Sequence, residues 1–181
     1  MTEIIKERVC AEVDEDIVVF LIGMRINKFW KIWKWLPLMR MMPKMLAELR
    51  AKPELGLLAA RGQLGLRNSS SIQYWKTAAH LQAFAQSGDK THMPAWAAFY
   101  RIVGNNGDIG IWHETYVVPL GNLETIYLNM PRFGLGLVGK LFPAKGSRAT
   151  AAKRLSQRES LGQQKHRLVE NSLQSYSEVR K

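Results

Sequence analysis

Long apolar runs, cysteines and acidic charge are what this chain has little of. Its longest strongly apolar run, Ile17–Met24, is eight residues, far short of the ~20 that cross a bilayer as a helix. The single Cys10 excludes an internal disulfide framework and a cysteine-rich zinc site. It stands among charged residues near the N-terminus, a poor setting for a catalytic thiol. The first sixteen residues are charged throughout and lack the apolar stretch of a secretory signal, so a cytoplasmic location is expected. No His-x-His, His-Glu-x-x-His or clustered-carboxylate pattern occurs, so no metal site is expected. Helix-turn-helix, RNA-recognition and zinc-finger signatures are also missing, so no specific nucleic-acid partner is expected.

Basic charge and tryptophan are what the chain does have. Twenty-six Lys and Arg stand against fifteen Asp and Glu, a net charge of +11, and six tryptophans support a real core. The charge is uneven: Pro143–Lys181 holds nine basic and three acidic residues. Such a tail is attracted to anionic surfaces, lipid or nucleic acid. The plainer reading, preferred here, is a solvated segment, mobile or helical, without a dedicated partner. The chain therefore divides into a lead-in (1–16), a domain (17–142) and a basic polar tail (143–181).

Within the domain, Ile17–Asn27 reads as a nearly all-apolar central strand. Lys28–Leu36 interleaves aromatics with lysines. A helix follows to about Leu49, its apolar positions recurring at helical spacing, with Pro43 either kinking it or opening a shorter one. Pro53–Gly56 breaks that helix. Leu57–Arg67 reads as a strand, Asn68-Ser69 as a turn and Ser70–Lys76 as a third strand. Thr77–Gln86 is a helix capped by Thr77, Thr91–Val103 a second helical segment that Gly104 stops. Gly107–Pro119 is the fourth strand, entered through the Asn106-Gly107 turn. Strand, helix, strand, strand, helix, strand is the α+β, ferredoxin-like split βαβ arrangement: a four-stranded antiparallel sheet with helices on one face.

The fourth strand is the most informative segment. Alternation places Trp112, Glu114 and Tyr116 on one face and His113 and Thr115 on the other. If the face away from the helices carries Trp75, Trp112 and Tyr116, its exposure is unfavourable at ~25 cal/mol per Å² of apolar area. Pairing of two chains sheet to sheet relieves this, so a homodimer is expected, with a cavity between the sheets or beneath each. In that arrangement Trp112, Glu114 and Tyr116 face the cavity and His113 lies behind it.

Gln73-Tyr74-Trp75-Lys76 before a helix, His92-Met93-Pro94-Ala95-Trp96, and Ile111-Trp112-His113-Glu114-Thr115-Tyr116 together resemble the antibiotic-biosynthesis-type monooxygenases, a dimeric α+β-barrel superfamily. Within it the chain is similar to the branch named for the fumagillin-pathway monooxygenase. The likeness runs from about Val18 to Gly136. It includes Ile22–Asn27, Pro53–Gly56 and Tyr127-Leu128-Asn129-Met130-Pro131. The resemblance implies a monooxygenase-like oxidoreductase of secondary metabolism acting on a hydrophobic small molecule. It implies a reaction often run without metal or flavin, in which a deprotonated substrate passes an electron to O₂. Such chemistry needs an apolar cavity, proton-transfer groups and donors for the substrate anion. Glu114, Trp112, Tyr116 and His92 are the catalytic candidates. Trp75, Gln73, Arg25 and Tyr127 are the substrate-binding candidates.

Each candidate has a plainer reading beside it. Trp75 and Trp112 can be core or interface aromatics, His113 a hydrogen-bonded core histidine and His92 a helix-start residue. Haem is the rival cofactor: relatives on this fold include haem-dependent dehydratases and haem-degrading proteins, and His113 or His92 would be the axial ligand. A further alternative is a non-catalytic binding or interaction module with a solid aromatic interface. Two segments are decoys. Gly134–Lys140 spells a dinucleotide-type glycine pattern outside any βαβ unit. Phe29–Trp35 suits either a weak contact with a membrane surface or the cover of a cavity mouth.

Overall fold

A computed structural model of the protein describes residues 3–86 and 100–178. The chain forms two compact units, one from Val18–Val117 and one from Met1–Ile17 with Val118–Lys181. The sequence boundary at 142/143 is not where the chain divides. The lead-in and the segments after Val118 belong together because they pair backbone to backbone.

In this second unit, β1 (Val9–Glu12) pairs antiparallel with β6 (Lys140–Pro143). Tyr127 exchanges two backbone hydrogen bonds with Val9, at 2.8 and 2.9 Å. Gly139 explains part of the glycine-rich decoy: a Cβ there would lie 2.4 Å from the Glu12 carbonyl oxygen. The basic tail is a helix, α3 (Ala151–Glu178). Several of its cations serve the unit itself. Arg154 is buried against Glu124, Arg158 donates to the Val13 carbonyl at 2.8 Å and Lys165 to that of Asp14 at 2.9 Å.

The central unit has the ferredoxin-like α+β arrangement. Strand β2 (Ile17–Ile26) leads to α1 (Ile32–Ala51), then β3 (Leu57–Leu64), β4 (Asn68–Trp75), α2 (Ala78–Gln86) and β5 (Ile109–Val118). The antiparallel sheet has the order β3-β4-β2-β5. Val18, Phe20, Ile22 and Met24 of β2 stand opposite Trp75, Gln73, Ser71 and Ser69 of β4. These residues share one face, so the hydrophobic cores lie on that side. Trp75 is fully buried with Val18, Leu46, Leu49 and Leu81, its ring 5.4 Å from that of Phe84. Ile109 joins Met24, Ile26 and Leu38 in an adjoining cluster.

Three local expectations need correction. The turn between β3 and β4 is 65–67 rather than Asn68-Ser69. Asn68 and Ser69 are instead paired across to Arg25 and Met24 of the central strand, which extends the ladder. Helix α1 starts at Ile32 and runs through both Pro37 and Pro43. Its start is set by a tertiary ion cluster described below, which propensity cannot register. Trp75 lies under the helices and not with Trp112 and Tyr116, because odd positions of β4 face the core. Of the Thr91–Val103 helix, only 100–103 fall within the described residues, and they are helical; Gly104 follows with φ +53°.

Candidate functional site

A cavity of about 270 Å³ lies between α1 and the helix-covered face of the sheet, wholly within the central unit. Its roof is α1. Met39, Met41, Met42 and Met45 line it, with Met24 from β2 below, so five of the chain's eight methionines meet here. They cluster because the buried stripe of α1 recurs every three to four residues. Thioether chains are unbranched and fill irregular space without fixing its shape. Pro43 also lines the cavity; it removes the N–H that the Met39 carbonyl would accept from in a regular helix.

The floor is polar in one strip. Ser69, Ser70 and Ser71 of β4 contribute to the lining. Ser71 is buried, and its Oγ has no hydrogen-bond partner among the described residues. Gln73, one strand step further and also buried, accepts from Trp75 Nε1 at 3.0 Å and directs its Nε2 toward Met42 Sδ at 3.8 Å. Arg50 is the charged residue among the cavity's described walls, and it donates to the Ala60 carbonyl at 3.3 Å.

The residues singled out from sequence do not converge on this space. Trp112 packs over Gly23, whose backbone leaves only 2.8 Å between a built Cβ and the indole. That puts Trp112, Glu114 and Tyr116 on the face away from the helices. The trio thus lies on the open face, as alternation along β5 implied, while the cavity beneath α1 lies on the opposite side of the sheet. Tyr116 donates to Glu114 at 2.6 Å, and that bond holds its phenol proton more firmly than usual. His113 lies on the helix-covered side, its ring 5.8 Å from Phe20. Arg25 is exposed on the far face and donates to Asn68 at 3.3 Å. Trp75 is core, and Gln73 is buried beside Met42, behind the cavity lining. Tyr127 belongs to the other unit, where its hydroxyl accepts from the Gly136 N–H at 3.3 Å. His92 lies outside the described residues.

Sequence reasoning missed Asp108 and the serine strip. Asp108 is buried, with Lys28, Lys31 and Lys34 at 2.8, 2.7 and 2.6 Å. The three ammonium groups hold its carboxyl well below the usual carboxylate range. Its carbonyl also accepts from the Asn27 and Lys28 N–H groups at 3.0 and 3.1 Å. The threefold lysine spacing was the available signal, since it gathers three cations around one point. The same segment splits its aromatics. Trp35 donates to the Phe29 carbonyl at 2.9 Å and both rings join the core, while Trp30 and Trp33 are exposed. Cys10 is buried, which raises its thiol pKa, and Glu12 adds to the effect.

Among the described residues no histidine lines the cavity, so its described walls offer no axial haem ligand. No helix among the described residues is long and apolar enough to cross a membrane.

Comparison with known proteins adds three findings. The family model described as Monooxygenase af470-like matches residues 17–135. Monooxygenase af470 of Aspergillus fumigatus is 32% identical over 93 residues, which are 49% of this chain and 32% of that protein. The chain thus matches only about a third of that relative's length. A crystal structure of an aldoxime dehydratase in complex with butyraldoxime is similar at TM-score 0.57 and 17% identity, over 76% of this chain and 43% of the other. At that identity the likeness is one of fold.

Proposed function

The chain belongs to the af470-like monooxygenase family, and from that membership we propose a monooxygenase-like enzyme that oxidises a hydrophobic small molecule in the cavity beneath α1. The observation that carries this reading is the cavity itself, methionine-walled, with Ser69 and Ser71 on its floor. An apolar enclosure with few polar groups is the usual form of a small-molecule site. The apolar walls cover part of the substrate body against water. The Ser69 and Ser71 hydroxyls, on the helix-covered face of β4, supply hydrogen bonds for an oxygen atom that gains charge during reaction.

Met39→Trp and Met45→Trp fill the cavity from its roof. Incubation with candidate apolar substrates, followed by oxygen uptake and product mass spectrometry, is expected to show at least a tenfold loss of turnover in both variants. Unchanged turnover in both sinks the assignment.

A second reading keeps Trp112, Glu114 and Tyr116 as the reacting groups on the far face, favoured by the 2.6 Å Tyr116–Glu114 bond. Glu114→Gln and Tyr116→Phe then abolish turnover, whereas the cavity reading expects both to stay within about threefold of the parent protein. We assign that far face instead to pairing of two copies of the chain, because Trp112 and Tyr116 remain substantially exposed on it.

A further inference from the structure

Ser71 is an unusual residue to find where it is. It sits on β4, hydrogen-bonded on both sides, opposite Ile22 of β2 and Gly62 of β3. The strand cannot turn it outward without losing both ladders. Its side chain is 2% exposed, lines the cavity, and its Oγ finds no partner among the described residues. Buried hydroxyls are almost always satisfied, and an unsatisfied one destabilises the fold that holds it. An alanine at this position would fit the same strand without that cost.

We propose that Ser71 Oγ anchors the single oxygen function of a flexible, uncharged, otherwise apolar ligand held in the methionine-lined cavity. Three features set this ligand class. The volume of about 270 Å³ equals roughly nine water molecules at ~30 Å³ each, so the ligand has on the order of ten heavy atoms. The thioether walls adapt to a chain that bends, where a rigid aromatic wall would select a flat ring. Arg50, the charged wall residue, is exposed and engaged with the Ala60 carbonyl. A carboxylate at Ser71 would therefore be buried without a cation, which is strongly unfavourable. A neutral hydroxyl or carbonyl is not. The inference rests on the cavity being the substrate site, but it is tested by binding and not by turnover.

The probes are 2-nonanone, 1-nonanol, nonanoate and nonane, titrated into the full chain by calorimetry and native mass spectrometry. The ketone and the alcohol are expected to bind at least tenfold more tightly than the alkane. Ser71→Ala is expected to bring that ratio close to one while leaving the alkane's affinity unchanged. The same variant is expected to melt at a higher temperature than the parent protein when free of ligand, because it removes the unsatisfied hydroxyl; a lower melting point counts against the anchor. Preference for nonanoate that disappears in Arg50→Gln overturns the proposal in favour of an acid ligand held at the rim. Equal binding of ketone and alkane, or no binding of any probe, also overturns it. Ser71-dependent binding without any oxidised product would leave the anchor standing and remove the monooxygenase reading. Turnover indifferent to Ser71 would do the reverse.

Discussion

Asp108 shows how one residue sets the conformation of a segment. Without its carboxylate, Lys28, Lys31 and Lys34 would repel one another at the start of α1. Because its folded pKa is lowered, its stabilising effect is complete above the ordinary carboxylate pKa of ~3.9 and is lost as pH falls toward the folded value. Melting temperatures measured from about pH 7 down to about pH 2 are expected to hold to about pH 5 and to fall below it in the parent protein. Asp108→Asn is expected to start lower at pH 7 and to show a shallower fall. Parallel curves would deny Asp108 this role. Trp75 makes the complementary case: it looks like a binding residue in sequence and is a core residue in the fold. Trp75→Ala is expected to cost about 3–5 kcal/mol in denaturant unfolding, the range for an emptied aromatic core site. A loss under about 1 kcal/mol would restore it to the list of surface-accessible candidates.

Elements add what single residues cannot. Strand β5 alternates as its sequence implies, so the split between Trp112, Glu114 and Tyr116 on one side and His113 on the other was legible. Its neighbour β2 supplies the reason Trp112 lies flat: Gly23 leaves room for the indole. A Cβ there would meet Trp112 and the Ser69 carbonyl at 2.8 and 2.7 Å. Gly23→Ala is expected to destabilise by about 1–3 kcal/mol through overpacking and to shift tryptophan emission as Trp112 is displaced. No change in either would mean the strand pair gives way freely. Helix α1 was legible as an apolar stripe; of the two readings of Pro43 the structure takes the continuous helix, and its passage through Pro37 was not foreseen. Proline normally ends or kinks a helix; here packing against the sheet and the Asp108 cluster outweigh that local preference.

For the whole molecule, the open question is assembly. The chain weighs 20.6 kDa. Sheet-to-sheet pairing through Trp112 and Tyr116 is expected to give twice that mass in light scattering. Trp112→Glu is expected to return it to the single-chain value by placing a charge on the buried face. A parent protein that runs as a single chain at all concentrations removes the pairing. The basic tail belongs to this scale too. Its charge in sequence implied an anionic partner or a free segment, yet Arg148, Arg154 and Arg158 bind carboxylates and carbonyls of their own unit. Composition counts charges but not where they end.

Periodicity and order along the chain determined the α+β class and the strand and helix order of the central unit, because these follow from backbone geometry and local pattern; β1 and β6 of the other unit, held by pairing over more than a hundred residues, were not legible. The resemblance carried by Gln73–Lys76 and Ile111–Tyr116 pointed to the same family that residues 17–135 match. Tertiary structure alone decided which strand face the helices cover. That choice sent Trp75 into the core, put the cavity on the side of Ser71 and His113, and left Trp112, Glu114 and Tyr116 on the other. For Trp75 it could not be read in advance, because both faces of β4 carry large apolar side chains. The choice between them rests on the summed packing of α1 and α2, which no local window of sequence contains.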